Sequence, residues 1–129
     1  MVIVDTSIWI PFFNRPASRE KLVLDALIDA DQALLVGVVL TEILQGCRTS
    51  RERALLTDLL RALPYLEVSQ SVWVLAGDLS ADLQRRGVTL PLSDLLIGAM
   101  ALIHKCRVYT LDAHFKKIPG LGLFTPTDS

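Results

Sequence analysis

At 129 residues the chain has room for one domain and little more, and a formal charge of −1 by itself argues for no polyanionic partner, although it averages over an uneven distribution. Two cysteines, Cys47 and Cys106, exclude a disulfide framework and lack metal-site spacing; both sit in apolar stretches and are expected as small buried residues. There is no basic leader and no apolar run near the ~20 residues of a membrane span, so a soluble, cytoplasmic protein that does not enter a membrane is expected. With 51% hydrophobic residues, an apolar interface beyond the core is also expected.

Val2-Ile3-Val4 is a β-branched run of the kind that forms a strand buried on both faces. Asp5 follows it directly, then Thr6 and Ser7. Trp9, Phe12 and Phe13 come next and suit either an exposed apolar surface for a partner or plain core, with the partner surface favoured. Glu20 to Ala30 carries Leu22, Val23, Ala26, Leu27 and Ala30 at helical spacing. Ala33 to Val39 predicts a second strand, and Thr41-Glu42-Ile43-Leu44 opens a short helix that Gly46 ends, with Glu42 in its first turn. Ser50 is the expected N-cap of a helix whose apolar face holds Ala54, Leu55, Leu59 and Leu60, before Pro64 breaks it.

Tyr65 to Val68 alternates like a brief strand. Ser71 to Arg86 places Val72, Leu75, Ala76, Leu79 and Leu83 on one helical face, with Trp73 assigned to the core and Gly87 as the stop. Ser93 is the expected cap of a helix running through Ile103, apolar nearly all round, whose Gly98, Ala99 and Ala101 permit close approach to a neighbour. Arg107 to Leu111 predicts a further strand, and Leu121 to Phe124 a last one. Strands alternating with helices imply right-handed crossovers and a mostly parallel sheet covered on both faces, in one α/β domain spanning residues 1–129. In such sheets ligands bind beyond the carboxyl ends of the strands.

Four acids fall at that kind of position: Asp5 after the first strand, Glu42 after the second, Asp94 at the start of a helix and Asp112 after the strand ending at Leu111. Each abuts an apolar run, where a charge is costly unless compensated. A hard divalent cation is the natural compensation, and an all-oxygen set suits Mg²⁺ or Mn²⁺ better than Zn²⁺. Such a site supports phosphodiester hydrolysis among other metal-assisted reactions. Taken singly, Glu42 and Asp94 also fit plain helix N-terminal acids, Asp5 a turn or cap, and Asp112 an ordinary loop acid. Asp78 and Asp82, near Arg85 and Arg86, read as a solvated helix face, and His104 and His114 are not spaced as a metal pair; both read as surface residues, although His114, two residues after Asp112, also stands where it could approach a substrate. Three basic groups (Arg15, Arg19 and Lys21; Arg48, Arg51 and Arg53; Lys116 and Lys117) each follow one of these acids and suit either phosphate contact or solvated charge.

Asp5-Thr6-Ser7 after an amino-terminal strand resembles the opening signature of PIN domains. Thr41-Glu42-Ile43, Pro91 through Ala99 and Thr110-Leu111-Asp112-Ala113-His114-Phe115 resemble its later motifs in order, and the length suits VapC-type toxins of toxin–antitoxin pairs. The resemblance implies a PIN-like three-layer α/β/α sandwich with a central, mostly parallel sheet of four or five strands. It implies a Mg²⁺- or Mn²⁺-dependent endoribonuclease with an RNA substrate, a cognate VapB-type antitoxin and a homodimeric state. By position, Asp5, Glu42, Asp94 and Asp112 become the catalytic acids, with Asp5, Asp94 and Asp112 on the metal and Thr6, Ser7 and Thr110 orienting them. Many relatives carry another acid just after the fourth, where this chain has Ala113 and His114.

Competing readings are weaker. A haloacid-dehalogenase-like phosphatase wants a second Asp two residues after Asp5, where Ser7 stands; a receiver domain wants paired acids near the first strand and a late Lys. No glycine-rich phosphate loop is present to support another α/β phosphotransfer enzyme. A catalytically inert interaction or RNA-binding module of the same fold is opposed by the full acidic set.

Overall fold

The structure, a computed structural model, describes residues 1–127. Four short strands form a parallel sheet in the order β3-β2-β1-β4, with β1 at Val2–Val4, β2 at Ala33–Val36, β3 at Tyr65–Leu66 and β4 at Arg107–Tyr109. Val2 pairs with Ala33 on one side and with Arg107 on the other, so β1 is central. All of β1 and β2 is buried, as expected of strands covered on both faces. The expected last strand at Leu121–Phe124 is reduced to one parallel bridge, Val108 with Leu123.

Six helices cover the sheet: α1 (Thr6–Asn14), α2 (Arg19–Asp29), α3 (Gly37–Gln45), α4 (Ser50–Arg61), α5 (Gln70–Arg85) and α6 (Leu92–His104). Helix α1 packs on α2 and α3, α3 on α4, and α5 on α6. This is the α/β/α architecture that the sequence predicts. None of these helices is long and apolar enough to cross a membrane.

Several local expectations change. Helix α1 was not foreseen: Pro11 interrupts its pattern, yet Ile8 and Trp9 are completely buried and hold it on the core. Trp9 is therefore not partner surface. It stacks on Phe13 and meets Phe12 edge-on, both half-buried, and its indole N–H is buried without an acceptor. Strand β2 ends at Val36, not Val39, because α3 starts at Gly37, where an added Cβ would lie 2.9 Å from the Tyr65 hydroxyl. Val39 and Ile43, one turn apart, then face the core, and Glu42 lies in the second turn of α3 rather than the first.

The cap of α4 is Thr49 rather than Ser50. Its Oγ1 accepts from the Glu52 N–H at 3.0 Å, while a Glu52 carboxylate oxygen accepts from the Arg48 N–H at 3.2 Å, a close variant of the capping box. Helix α6 begins at Leu92 after Pro91, so Ser93 lies inside its first turn. Trp73 is 52% exposed and does not belong to the core, and both cysteines are only half-buried.

Candidate active site

The chain builds β1, β2 and β3 outward in one direction, then returns to place β4 on the other flank of β1. Between β1 and β4 the winding reverses, which opens a crevice at the carboxyl ends of the two strands. Asp5 leaves β1 and Thr110 leaves β4 at that crevice, joined by a bond from the Asp5 N–H to the Tyr109 carbonyl at 2.9 Å.

A hydroxyl network fixes the Asp5 carboxylate. Its Oδ2 accepts from Ser7 Oγ at 2.8 Å and from Thr110 Oγ1 at 2.9 Å. Each hydroxyl has one proton, so with both given to Asp5 the 3.2 Å Ser7–Thr110 approach is contact rather than a third bond. Their oxygens instead accept backbone N–H groups: Leu111 N–H to Ser7 Oγ at 3.0 Å, and Asp112 N–H to Thr110 Oγ1 at 2.9 Å. Two side chains thus tie the loop after β4 to the acid after β1. The adjacent Thr6 donates from Oγ1 to Glu42 Oε1 at 3.0 Å, bringing the acid of α3 to the same helix start.

Across the crevice, Asp94 lies in the first turn of α6 and Asp112 caps a 3₁₀ turn at Ala113–Lys117. The Asp112 Oδ1 accepts the His114 N–H at 2.9 Å, which folds the His114 ring back toward the acids. Its Nδ1 lies 3.2 Å from Asp94 Oδ2 and 3.3 Å from Asp112 Oδ1. Among the described residues, one ligand atom each from Asp94, Asp112 and His114 fall within 4.8 Å of one another. Asp5 and Glu42 lie outside this tightest group, and each is held by its own hydroxyl donors.

Asp5 and Asp94 are each only 7% exposed, the two buried charged side chains of the described core. Burial raises the Asp94 carboxyl above its usual range; the like charges of Asp112 and Asp5 add to this, and the His114 hydrogen bond opposes it. Three acids that repel at one crevice, two of them buried, form an environment that a divalent cation neutralises. The donor set, oxygen with one imidazole nitrogen, fits such an ion.

His114, favoured by the sequence as a surface residue with an approach to substrate as the alternative, stands at the site with its side chain 46% exposed. The signal was the Asp-x-His spacing across a tight turn: a capping Asp fixes the backbone two residues on, and so places that residue's ring beside its own carboxylate. Of the basic groups, Arg19 and Lys116 line a cleft of about 280 Å³ that includes Thr110 and Leu111. Lys21 is engaged locally, paired with Asp25 at 2.6 Å and lying over the Phe12 ring.

The PIN-domain family model matches residues 2–121 of the chain. Among characterised proteins, the VapC ribonuclease Mb1587 of Mycobacterium bovis and ribonuclease VapC11 of Mycobacterium tuberculosis are each 28% identical over 122 residues, covering 92% of this chain and 91% of theirs. Among solved structures, VapBC2 of Rickettsia felis bound to a promoter DNA fragment superposes with a TM-score of 0.82 at 23% identity, covering 96% of this chain and 98% of that one. A toxin–antitoxin complex of Klebsiella pneumoniae gives 0.78 at 23% identity, with both chains covered completely.

Proposed function

The chain belongs to the PIN-domain family, and from that membership we propose that it is a divalent-metal-dependent endoribonuclease, the toxin of a VapBC-type pair. The relatives named as VapC ribonucleases and the VapBC complexes of the same fold support this reading. The observation that carries it is the acidic crevice between β1 and β4, where buried Asp5 and Asp94 stand with Asp112. We assign the catalytic acids as Asp5, Glu42, Asp94 and Asp112, with Asp5, Asp94 and Asp112 holding Mg²⁺ or Mn²⁺. Residues 1–129 act as one nuclease domain.

Held by Asp5, Asp94 and Asp112, a divalent ion would supply the Lewis acidity that makes a water nucleophilic and offsets negative charge on a phosphate. The protein's part is orientation. Ser7 and Thr110 direct both hydroxyl protons at one oxygen of Asp5, which fixes the plane of its carboxylate. Thr6 does the same for Glu42 with one bond. Arg19 and Lys116, on the cleft beside Leu111, supply positive charge for neighbouring phosphates of an RNA strand. A VapB-type antitoxin is the partner that restrains this activity, and the working unit is a homodimer.

The test is cleavage of total cellular RNA by partner-free protein, with Mn²⁺, with Mg²⁺ and with chelator. Cleavage should require the metal and disappear in Asp5→Asn while the unfolding curve stays cooperative. Chelator-resistant cleavage, or full activity in Asp5→Asn, would overturn the assignment.

A further inference from the structure

We propose that His114 is itself a metal ligand, binding through Nδ1 beside Asp94 and Asp112, and that it tilts the site toward first-row transition cations over Mg²⁺. This rests on the nuclease reading of the crevice and adds the choice of metal to it.

Three donor atoms converge at this point: one each from Asp94, Asp112 and His114 lie within 4.8 Å of one another. His114 Nδ1 stands 3.2 Å from Asp94 Oδ2 and 3.3 Å from Asp112 Oδ1. The ring is not a loose surface group that happens to point inward. Its backbone N–H is tied to Asp112, and the next residue, Phe115, is completely buried. Ile118, which ends the turn, is 3% exposed and lies against Gly98 of α6, the helix that carries Asp94. The core therefore fixes the 3₁₀ turn against α6, one helical turn along from Asp94.

Donor chemistry supplies the consequence. Carboxylates alone serve Mg²⁺ and Mn²⁺ comparably, whereas imidazole nitrogen favours Mn²⁺ and the later divalent ions and adds little for Mg²⁺, which prefers oxygen and retains its waters. A chain with an acid in place of His114 would lack that preference.

The experiment measures metal binding to the full chain without RNA. Calorimetric titration with Mn²⁺ and with Mg²⁺ is compared for the wild type, Asp94→Asn, His114→Ala and His114→Asp, and spin-echo spectra of bound Mn²⁺ are recorded for nitrogen coupling. His114→Ala should weaken Mn²⁺ at least about tenfold, the loss that removing even an outer partner of a ligand causes. Mg²⁺ binding should change far less, the ¹⁴N coupling should vanish, and His114→Asp should raise the preference for Mg²⁺. Equal losses for both ions, or no nitrogen coupling in the wild type, would overturn the ligand role. The two readings fail separately. Binding that Asp94→Asn leaves intact removes the metal crevice itself, whereas binding that Asp94→Asn abolishes and His114→Ala spares removes only the histidine. Since the His114 side chain is 46% exposed, its replacement leaves the core intact, and the unfolding curve verifies this.

Discussion

Gly98, one helical turn from Asp94, is where the packing beside the acidic crevice can be tested most sharply. A Cβ added there would lie 2.5 Å from Ile118 Cδ1, and at 3.7 and 3.8 Å from its Cγ2 and Cγ1. The offending atom is the tip of one side chain, so the conflict is specific. Overpacking a filled core costs about 1–3 kcal/mol. Against that, Ala in a helix interior is about 1 kcal/mol better than Gly. Gly98→Ala should therefore lower stability by about 1 kcal/mol in the wild-type background, within the limits of those two ranges. Ile118→Val deletes the clashing methyl and alone costs about 0.5–1.5 kcal/mol. In the Ile118→Val background, Gly98→Ala should become stabilising by about 1 kcal/mol, since the helix gain remains and the space is refilled. The effect thus changes sign, with a coupling of about 2 kcal/mol. Urea unfolding of the four proteins in chelator, at unchanged slope, reads this directly. If Gly98→Ala has the same effect in both backgrounds within about 0.5 kcal/mol, the two residues are independent and the account of this packing is wrong.

Asp94→Asn should stabilise the metal-free protein relative to the wild type at neutral pH. The folded Asp94 carboxyl is raised above 3.8 by burial and by Asp112 and Asp5, so its favourable contribution is complete below the unfolded value and lost as pH rises through the folded one. The advantage of the variant should accordingly shrink as pH falls toward about 4, and an advantage that grows on acidification would contradict the sign. Thr110→Val removes a hydroxyl that donates to Asp5 and accepts from Asp112; a loss of about 10–100-fold in metal-dependent cleavage is expected. Cleavage unchanged by it would show that Asp5 needs no such support. Trp9→Ala should cost about 3–5 kcal/mol in unfolding experiments, because the ring is completely buried against Phe12 and Phe13; a loss below about 1 kcal/mol would restore its reading as surface.

Asp5, Glu42 and Asp112 were legible because each comes after a β-rich run and Asp94 because it opens a helix, and the alternation of strands and helices already required a parallel sheet with one functional edge. Helix α1 escaped because a proline at its sixth position hides a helix that tertiary burial of Ile8 and Trp9 supports. Glu42 was placed a turn too early because Val38 and Val39 have strand-like side chains, while the helix start at Gly37 is set by close contact with Tyr65, 28 positions away. Trp73 illustrates the converse error: an aromatic on an amphipathic helix invites a core assignment, but it lies off the face that buries Val72, Ala76 and Leu83. The role of His114 lay in a turn of the chain rather than in any period, so composition and spacing left it at the surface.

The centrality of β1 also orders events in time. Asp5 is made early, with Ser7 beside it, but the second hydroxyl that holds its carboxylate comes from Thr110, 105 positions later, and β4 is the strand that completes the crevice. Synthesis proceeds at about 5–20 residues per second, so several seconds separate the first acid from the groups that organise it. During that interval a nascent chain carries Asp5 and Glu42 without the Asp94–Asp112–His114 wall. Fragments that stop short of β4 lack Thr110, Asp112 and His114, so the crevice is complete only once nearly all of the chain has been translated.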